Sequence, residues 1–80
     1  MRVVAEIPHS SCKITIFSWN GKYLIKFEQG PLEQTYKIRE LDVSGEADIR
    51  KLVADEQFIQ DAYASFINMG AALTSGMERL

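Results

Sequence analysis

One cysteine, one histidine and two prolines in 80 residues leave little material for metal sites or crosslinks. The lone thiol, Cys12, forms no internal disulfide, so packing, alone or with self-association, has to hold the fold. One His and one Cys are too few for the three or four ligands of a zinc site, and no Cys-x-x-Cys or His-x-x-x-His spacing occurs. The Walker pattern and Gly-x-Gly-x-x-Gly are both missing, which makes Gly30-Pro31 punctuation and not a phosphate cradle. No apolar run approaches the ~18 to 20 residues of a membrane span, and the start, MRVVAEIPHSS, lacks the apolar segment and cleavage site of a signal peptide. The expected compartment is therefore the cytoplasm, with no membrane partner and no cofactor. Internal repeats and low-complexity tracts are also lacking.

What is present fits an ordinary globular chain: 46% hydrophobic and 25% charged residues. Residues 1–80 make one domain, and a chain of this length hides only about 60 to 65% of its unfolded surface, a core too thin for a deep catalytic cleft. Its net charge of −2 is unevenly spread: residues 1–40 carry six Lys/Arg and four Asp/Glu, and residues 41–80 carry three and seven.

Asn20-Gly21 lies between two β-rich runs, CKITIFSW and KYLIKFEQ, and these residue types tolerate the positive φ of a type I′ turn. A two-residue loop there pairs Trp19 with Lys22, Ser18 with Tyr23, Phe17 with Leu24, Ile16 with Ile25, Ile14 with Phe27 and Cys12 with Gln29. Directly paired residues share a face. One face therefore collects Cys12, Ile14, Ile16, Tyr23, Ile25 and Phe27, and Trp19 points to the other. If Pro8-His9-Ser10-Ser11 is the preceding loop, Ile7 falls opposite Cys12, Ala5 opposite Ile14 and Val3 opposite Ile16. If Gly30-Pro31-Leu32-Glu33 is the following one, Tyr36 falls opposite Phe27 and Ile38 opposite Ile25. The expectation is a four-stranded antiparallel meander over residues 1–41, in the order 1-2-3-4.

Beyond Leu41 the apolar spacing turns helical. Ser44 is placed to cap a short helix over 45–54, with Ile49, Leu52 and Val53 on its buried side. Asp55 is placed to cap a long helix over 56–76, on which Ile59, Ala62, Phe66, Met69, Leu73 and Leu80 mark one side. Packing that side on the apolar sheet face gives a two-layer α+β domain. A second stripe, Phe58, Tyr63 and Ile67 beside Ala64, Gly70, Ala71 and Ala72, is expected to pack against the short helix and its loop; the alternative is a helix pair across a dimer axis.

Catalysis finds little support. His9, Ser10, Ser11 and Cys12 resemble a nucleophile cluster, but the register turns Cys12 inward and a turn after proline commonly carries serines. Asp42, Glu46, Asp48, Asp55, Glu56 and Asp61 fall at helix starts and on wet faces. An apolar ligand between sheet and helix, lined by Tyr23, Phe27, Tyr36, Phe66 and Met69, competes with plain core packing, which is favoured.

The outer sheet face is the candidate site. On this register it displays Arg2, Lys13, Lys22, Lys26, Lys37 and Arg39, with Glu6 and Glu28 among them and Lys26 opposite Lys37. Phe17, Trp19 and Leu24 cluster at the Asn20-Gly21 end, with Val4 further along. Lysines solvating an exposed sheet account for part of this pattern. The functional expectation is a non-catalytic interaction domain that self-associates as a homodimer or takes a protein partner, with Phe17, Trp19, Leu24, Lys22, Lys26, Lys37 and Arg39 as its contact residues. The dimer could use this face, the edge strand from Arg2 to Ile7, or the long helix. A platform for single-stranded nucleic acid or another polyanion, with bases stacked on the aromatics, is the alternative.

Overall fold

The computed structural model describes all 80 residues. Four strands, β1 (Arg2–Pro8), β2 (Lys13–Trp19), β3 (Lys22–Gln29) and β4 (Leu32–Arg39), form one antiparallel sheet in the order β1-β2-β3-β4. A single 3₁₀ turn (Glu40–Asp42) leads to α1 (Glu46–Ala54) and α2 (Glu56–Glu78). Both helices cover one face, giving a two-layer α+β fold.

The β2–β3 hairpin sets the rest. Asn20 and Gly21 adopt φ of 57° and 75°, the two positive values of a type I′ turn. The pairing runs from Trp19 opposite Lys22, through Ile16 opposite Ile25, to Lys13 opposite Glu28. Cys12 lies just outside the ladder, where Gln29 donates from Nε2 to the Ser11 carbonyl at 2.9 Å.

The flanking hairpins differ from the sequence reading by two residues each. Only Gly30 and Pro31 form the β3–β4 loop: Leu32 pairs with Gln29, Tyr36 with Ile25 and Ile38 with Tyr23. Gly30 at φ 57°, followed by a proline locked at negative φ, has the sign sequence of a type II′ turn. Lys26 consequently faces Thr35, and Lys37 faces Leu24. In the first hairpin the loop is His9 to Cys12, so Ile7 pairs with Ile14 and Ala5 with Ile16. A two-residue displacement preserves the side of every residue, which is why the apolar face survives.

A bulge between Val3 and Ala5 breaks that parity at the start of β1. The extra residue, Val4, packs against the core, whereas Val3 lies opposite Phe17 on the outer face and is exposed. Arg2 lies opposite Ser18 on the helix side, where its guanidinium meets Glu46 of α1 at 3.0 Å. The sequence expectation that Val3 faces inward and Arg2 and Val4 outward is therefore reversed. One inserted residue turns the strand over.

Ile14, Ile16, Ile25 and Phe27 from the sheet, Ile49 and Val53 from α1, and Ile59, Ala62 and Phe66 from α2 make the core. Phe27, Tyr36 and Phe58 form an edge-to-face cluster with ring centroids 5.2 to 5.9 Å apart. Phe58 thus joins the core, while Tyr63 and Ile67 of the same helical stripe remain exposed. Tyr36 donates to Gln34 Oε1 at 3.1 Å, and Gln34 Nε2 donates to the Ala62 carbonyl at 2.7 Å, tying β4 to α2. No cavity separates sheet from helices at Tyr23, Phe27, Tyr36, Phe66 and Met69; the two concavities of the molecule lie elsewhere.

The caps follow elementary rules, with one change. Asp55 accepts from the Gln57 N–H at 3.0 Å, as its position before α2 suggests. At α1 the cap residue is Gly45, not Ser44; Gly45 holds φ 104°, and Asp48 reaches back to accept from the Ser44 N–H at 2.8 Å. The 23 residues of α2 span about 34 Å at 1.5 Å each, while an eight-residue strand covers about 27 Å. The helix overshoots the sheet. Ile59, Ala62 and Phe66 are buried and Met69 is partly covered, but Leu73 is 44% exposed and Leu80 stands free. The expected cover by Leu73 and Leu80 fails because the sheet ends before they do.

The end of the core along α2 is directly measurable. Phe66→Ala is expected to lower unfolding free energy by about 3 to 5 kcal/mol, and Leu73→Ala to change it by no more than about 0.5 kcal/mol, in urea titrations of the two variants. Equal losses would contradict the overhang.

Candidate interaction surface

The sheet has no second layer on its outer side, and the register arranges that side in rows running from strand to strand. At the Asn20-Gly21 end lies Trp19, Lys22, Arg39; next to it Val3, Phe17, Leu24, Lys37; then Glu6, Thr15, Lys26, Thr35. All seven residues proposed as contacts from the sequence lie on this face, and Phe17 and Leu24 are direct cross-strand neighbours. The second row is an apolar band across β1, β2 and β3 that ends at Lys37. The bulge supplies Val3 to it, and Met1 adjoins it from the chain start, lining with Phe17, Leu24, Lys26, Glu33 and Thr35 a shallow groove of about 230 Å³. Neither Met1 nor Val3 was legible as part of the surface, because no residue type announces a bulge inside RVVAEI.

Burial separates these residues into two kinds. Leu24 is only 7% exposed and Thr15 4%, although no layer covers them. Their neighbours must do so, and the aliphatic stems of Lys26 and Lys37 lie beside them in the ladder. Trp19, at 47% exposure, and Met1, at 73%, present their surface to solvent. Leu24 is thus a packing residue on an uncovered face, and the indole is a presented one.

The electrostatics are more balanced than the sequence suggests. Lys26 Nζ lies 3.3 Å from Glu33 Oε2 and 3.8 Å from Glu28 Oε1. Arg39 donates to both carboxylate oxygens of Asp42, from Nε at 2.9 Å and Nη2 at 3.0 Å. This pair of hydrogen bonds holds the Asp42 carboxyl below the usual carboxylate range and raises the Arg39 guanidinium. The repulsion expected between Lys26 and Lys37 is absent; Lys22 and Arg39 are the opposed cations, with Asp42 drawing the guanidinium's charge. Lys13, Lys22 and Lys37 have no carboxylate within ion-pair distance.

The His9–Cys12 loop is a turn in which the His9 side chain is engaged with the backbone and Cys12 is partly buried. His9 Nδ1 accepts from the Ser11 N–H at 3.1 Å, and burial pushes the Cys12 thiol up, toward its protonated and unreactive form. A second shallow concavity, of about 300 Å³, lies at the other end of the sheet between Glu6, Ile7, Pro8, Lys13 and Ile14. No helix is long and apolar enough to cross a membrane. Comparison of the chain with family models, curated proteins and solved structures finds no match.

The division between packing and presented residues has a measurable outcome. Leu24→Ala is expected to cost about 2 to 3 kcal/mol of stability, while Trp19→Ala costs under about 1 kcal/mol, by chemical denaturation at micromolar concentration. A larger loss for Trp19→Ala would mean that the indole serves the fold and not a surface.

Proposed function

We propose that the protein is a small non-catalytic, cytoplasmic assembly domain that self-associates, with Phe17, Trp19 and Leu24 at the centre of its contact surface. The observation that carries this reading is the apolar band of Val3 and Phe17 with Leu24 packed within it, Trp19 exposed at its edge and Lys22, Lys37 and Arg39 at its rim. An apolar centre with a charged rim is the usual anatomy of an interface, and an aromatic anchor is its usual energetic focus. A domain with 12 of its 80 residues buried also gains stability from anything that binds only its folded form. The occupied His9 and the protonated Cys12 favour a binding role over catalysis.

The second reading, a platform for single-stranded nucleic acid, is favoured by Lys22 and Lys37, which have no carboxylate partner and lie at the exposed indole's end of the sheet. It is weakened because Lys26 and Arg39 already spend their charge on Glu28, Glu33 and Asp42. Each such pair must open before a phosphate gains a contact.

The chain has a single tryptophan, so its emission reports on this face alone. On raising concentration through tens of micromolar, the emission is expected to shift to the blue while the sedimenting mass climbs above the 9.1 kDa of one chain. An unchanged 9.1 kDa species with constant emission would overturn the assembly reading, and a salt-sensitive emission change on adding an oligonucleotide would favour the second.

A further inference from the structure

The two edges of the sheet are unequal. β1 carries a bulge at Val4 and ends in Pro8, devices that discourage pairing with another strand. β4 has neither: its eight residues run without bulge or proline. The Glu40 N–H bonds inward to the Gly21 carbonyl at 3.0 Å, so by the alternation of an antiparallel ladder the even-numbered residues of β4 bond to β3. The N–H and C=O groups of Glu33, Thr35 and Lys37 therefore point outward, and no hydrogen bond within the chain reaches them.

Resting on the self-association reading and adding to it an edge contact separate from the Phe17, Trp19 and Leu24 face, we propose that β4 pairs antiparallel with β4 of a second copy about a two-fold axis at Thr35, joining two sheets into one of eight strands. Hydrogen-bonded partners must both be odd-numbered, which leaves few registers. The one centred on Thr35 sets Glu33 opposite Lys37 of the second copy, twice by symmetry, and Thr35 opposite Thr35. On the helix side it sets Leu32 opposite Ile38 and Gln34 opposite Tyr36. Opposite charges, Thr–Thr and apolar–apolar are the cross-strand pairs that stabilise a sheet. Lys37 enters without an existing ion pair and Glu33 shares its carboxylate with Lys26, whereas Arg39 is held by Asp42 through two hydrogen bonds. A slide of two residues sets Lys37 opposite Pro31, or Thr35 opposite Lys37 with Glu33 opposite the Arg39 that Asp42 already holds. A slide of four puts Lys37 against Lys37 or Glu33 against Glu33. Charge thus selects the register. About six backbone hydrogen bonds close the seam, two for each of three odd-numbered pairs.

The test combines disulfide trapping with charge exchange, each followed by sedimentation. On the axis the two Thr35 Cα atoms would lie about 5.5 Å apart, within disulfide reach. Thr35→Cys in a Cys12→Ser background is therefore expected to oxidise to a covalent dimer, and Lys37→Cys in the same background not to. Glu33→Lys and Lys37→Glu are each expected to weaken association about tenfold, since two attractive pairs become repulsive, and the double exchange to restore it. Thermal melts of the variants confirm folding, which is expected because Glu33, Thr35 and Lys37 are exposed and Cys12→Ser is a near-isosteric change at a partly buried position. If the wild-type chain associates but Thr35→Cys is not trapped and the charge variants keep its affinity, β4 pairing is overturned and the assembly reading stands. If the wild-type chain stays at 9.1 kDa, both are overturned.

Discussion

Two consecutive residues with positive φ, Asn20 and Gly21, decide which side of this sheet is oily. A two-residue loop admits only one alignment of the strands it joins, and in a pleated ladder alignment and facing are the same variable. With Ile16 opposite Ile25, the aliphatic residues of β2 and β3 fall under the helices, and Phe17, Trp19 and Leu24 are left above a face that nothing in the chain covers. Lengthening or shortening the loop by one residue would turn one of the two strands over and set its polar side under the helices.

The helix layer then completes what the hairpin begins. α1 and α2 supply the other half of the core, and the Tyr36, Gln34 and Ala62 hydrogen-bond chain anchors α2 over β4 where apolar contact alone would not fix its position. Each element has a remainder: an open face on the sheet, a straight unbonded edge at β4, and a helix end beyond the last strand. In a domain this small, such remainders are a large share of the surface. Function is most economically sought in them, since the one histidine and one cysteine are already engaged in turn geometry and burial.

Much of this was legible in the residues, for identifiable reasons. Asn20-Gly21 is a strong turn signal, and it yields the β2–β3 pairing from Lys13 to Trp19, failing only at Cys12, which lies outside the ladder. The pairings across the neighbouring loops were displaced by two residues, and the glycine-first pair Gly30-Pro31 was itself the overlooked type II′ signature. Those errors were harmless to the faces because they were even. The damaging one was odd: the bulge at Val4, which exchanged Val3 with Val4 and sent Arg2 to Glu46, rests on tertiary contacts that no local pattern encodes. The helical stripe reading through Leu80 was sound as periodicity, but a stripe says nothing of where its partner stops. The balance of charge on the outer face was likewise hidden, because Lys26 finds Glu33 only in the register created by the shorter β3–β4 loop.

The account stands on the alignment of β2 with β3, and nuclear Overhauser contacts between backbone Hα protons measure it directly. Such contacts are strongest between residues opposed at non-hydrogen-bonded positions, where the Cα atoms approach to about 4.5 Å. The structure predicts Hα–Hα contacts for Ser18 with Tyr23, Ile16 with Ile25 and Ile14 with Phe27. Contacts displaced by one residue, such as Ile16 with Leu24 or with Lys26, would place the indole under the helices and contradict the surface described above.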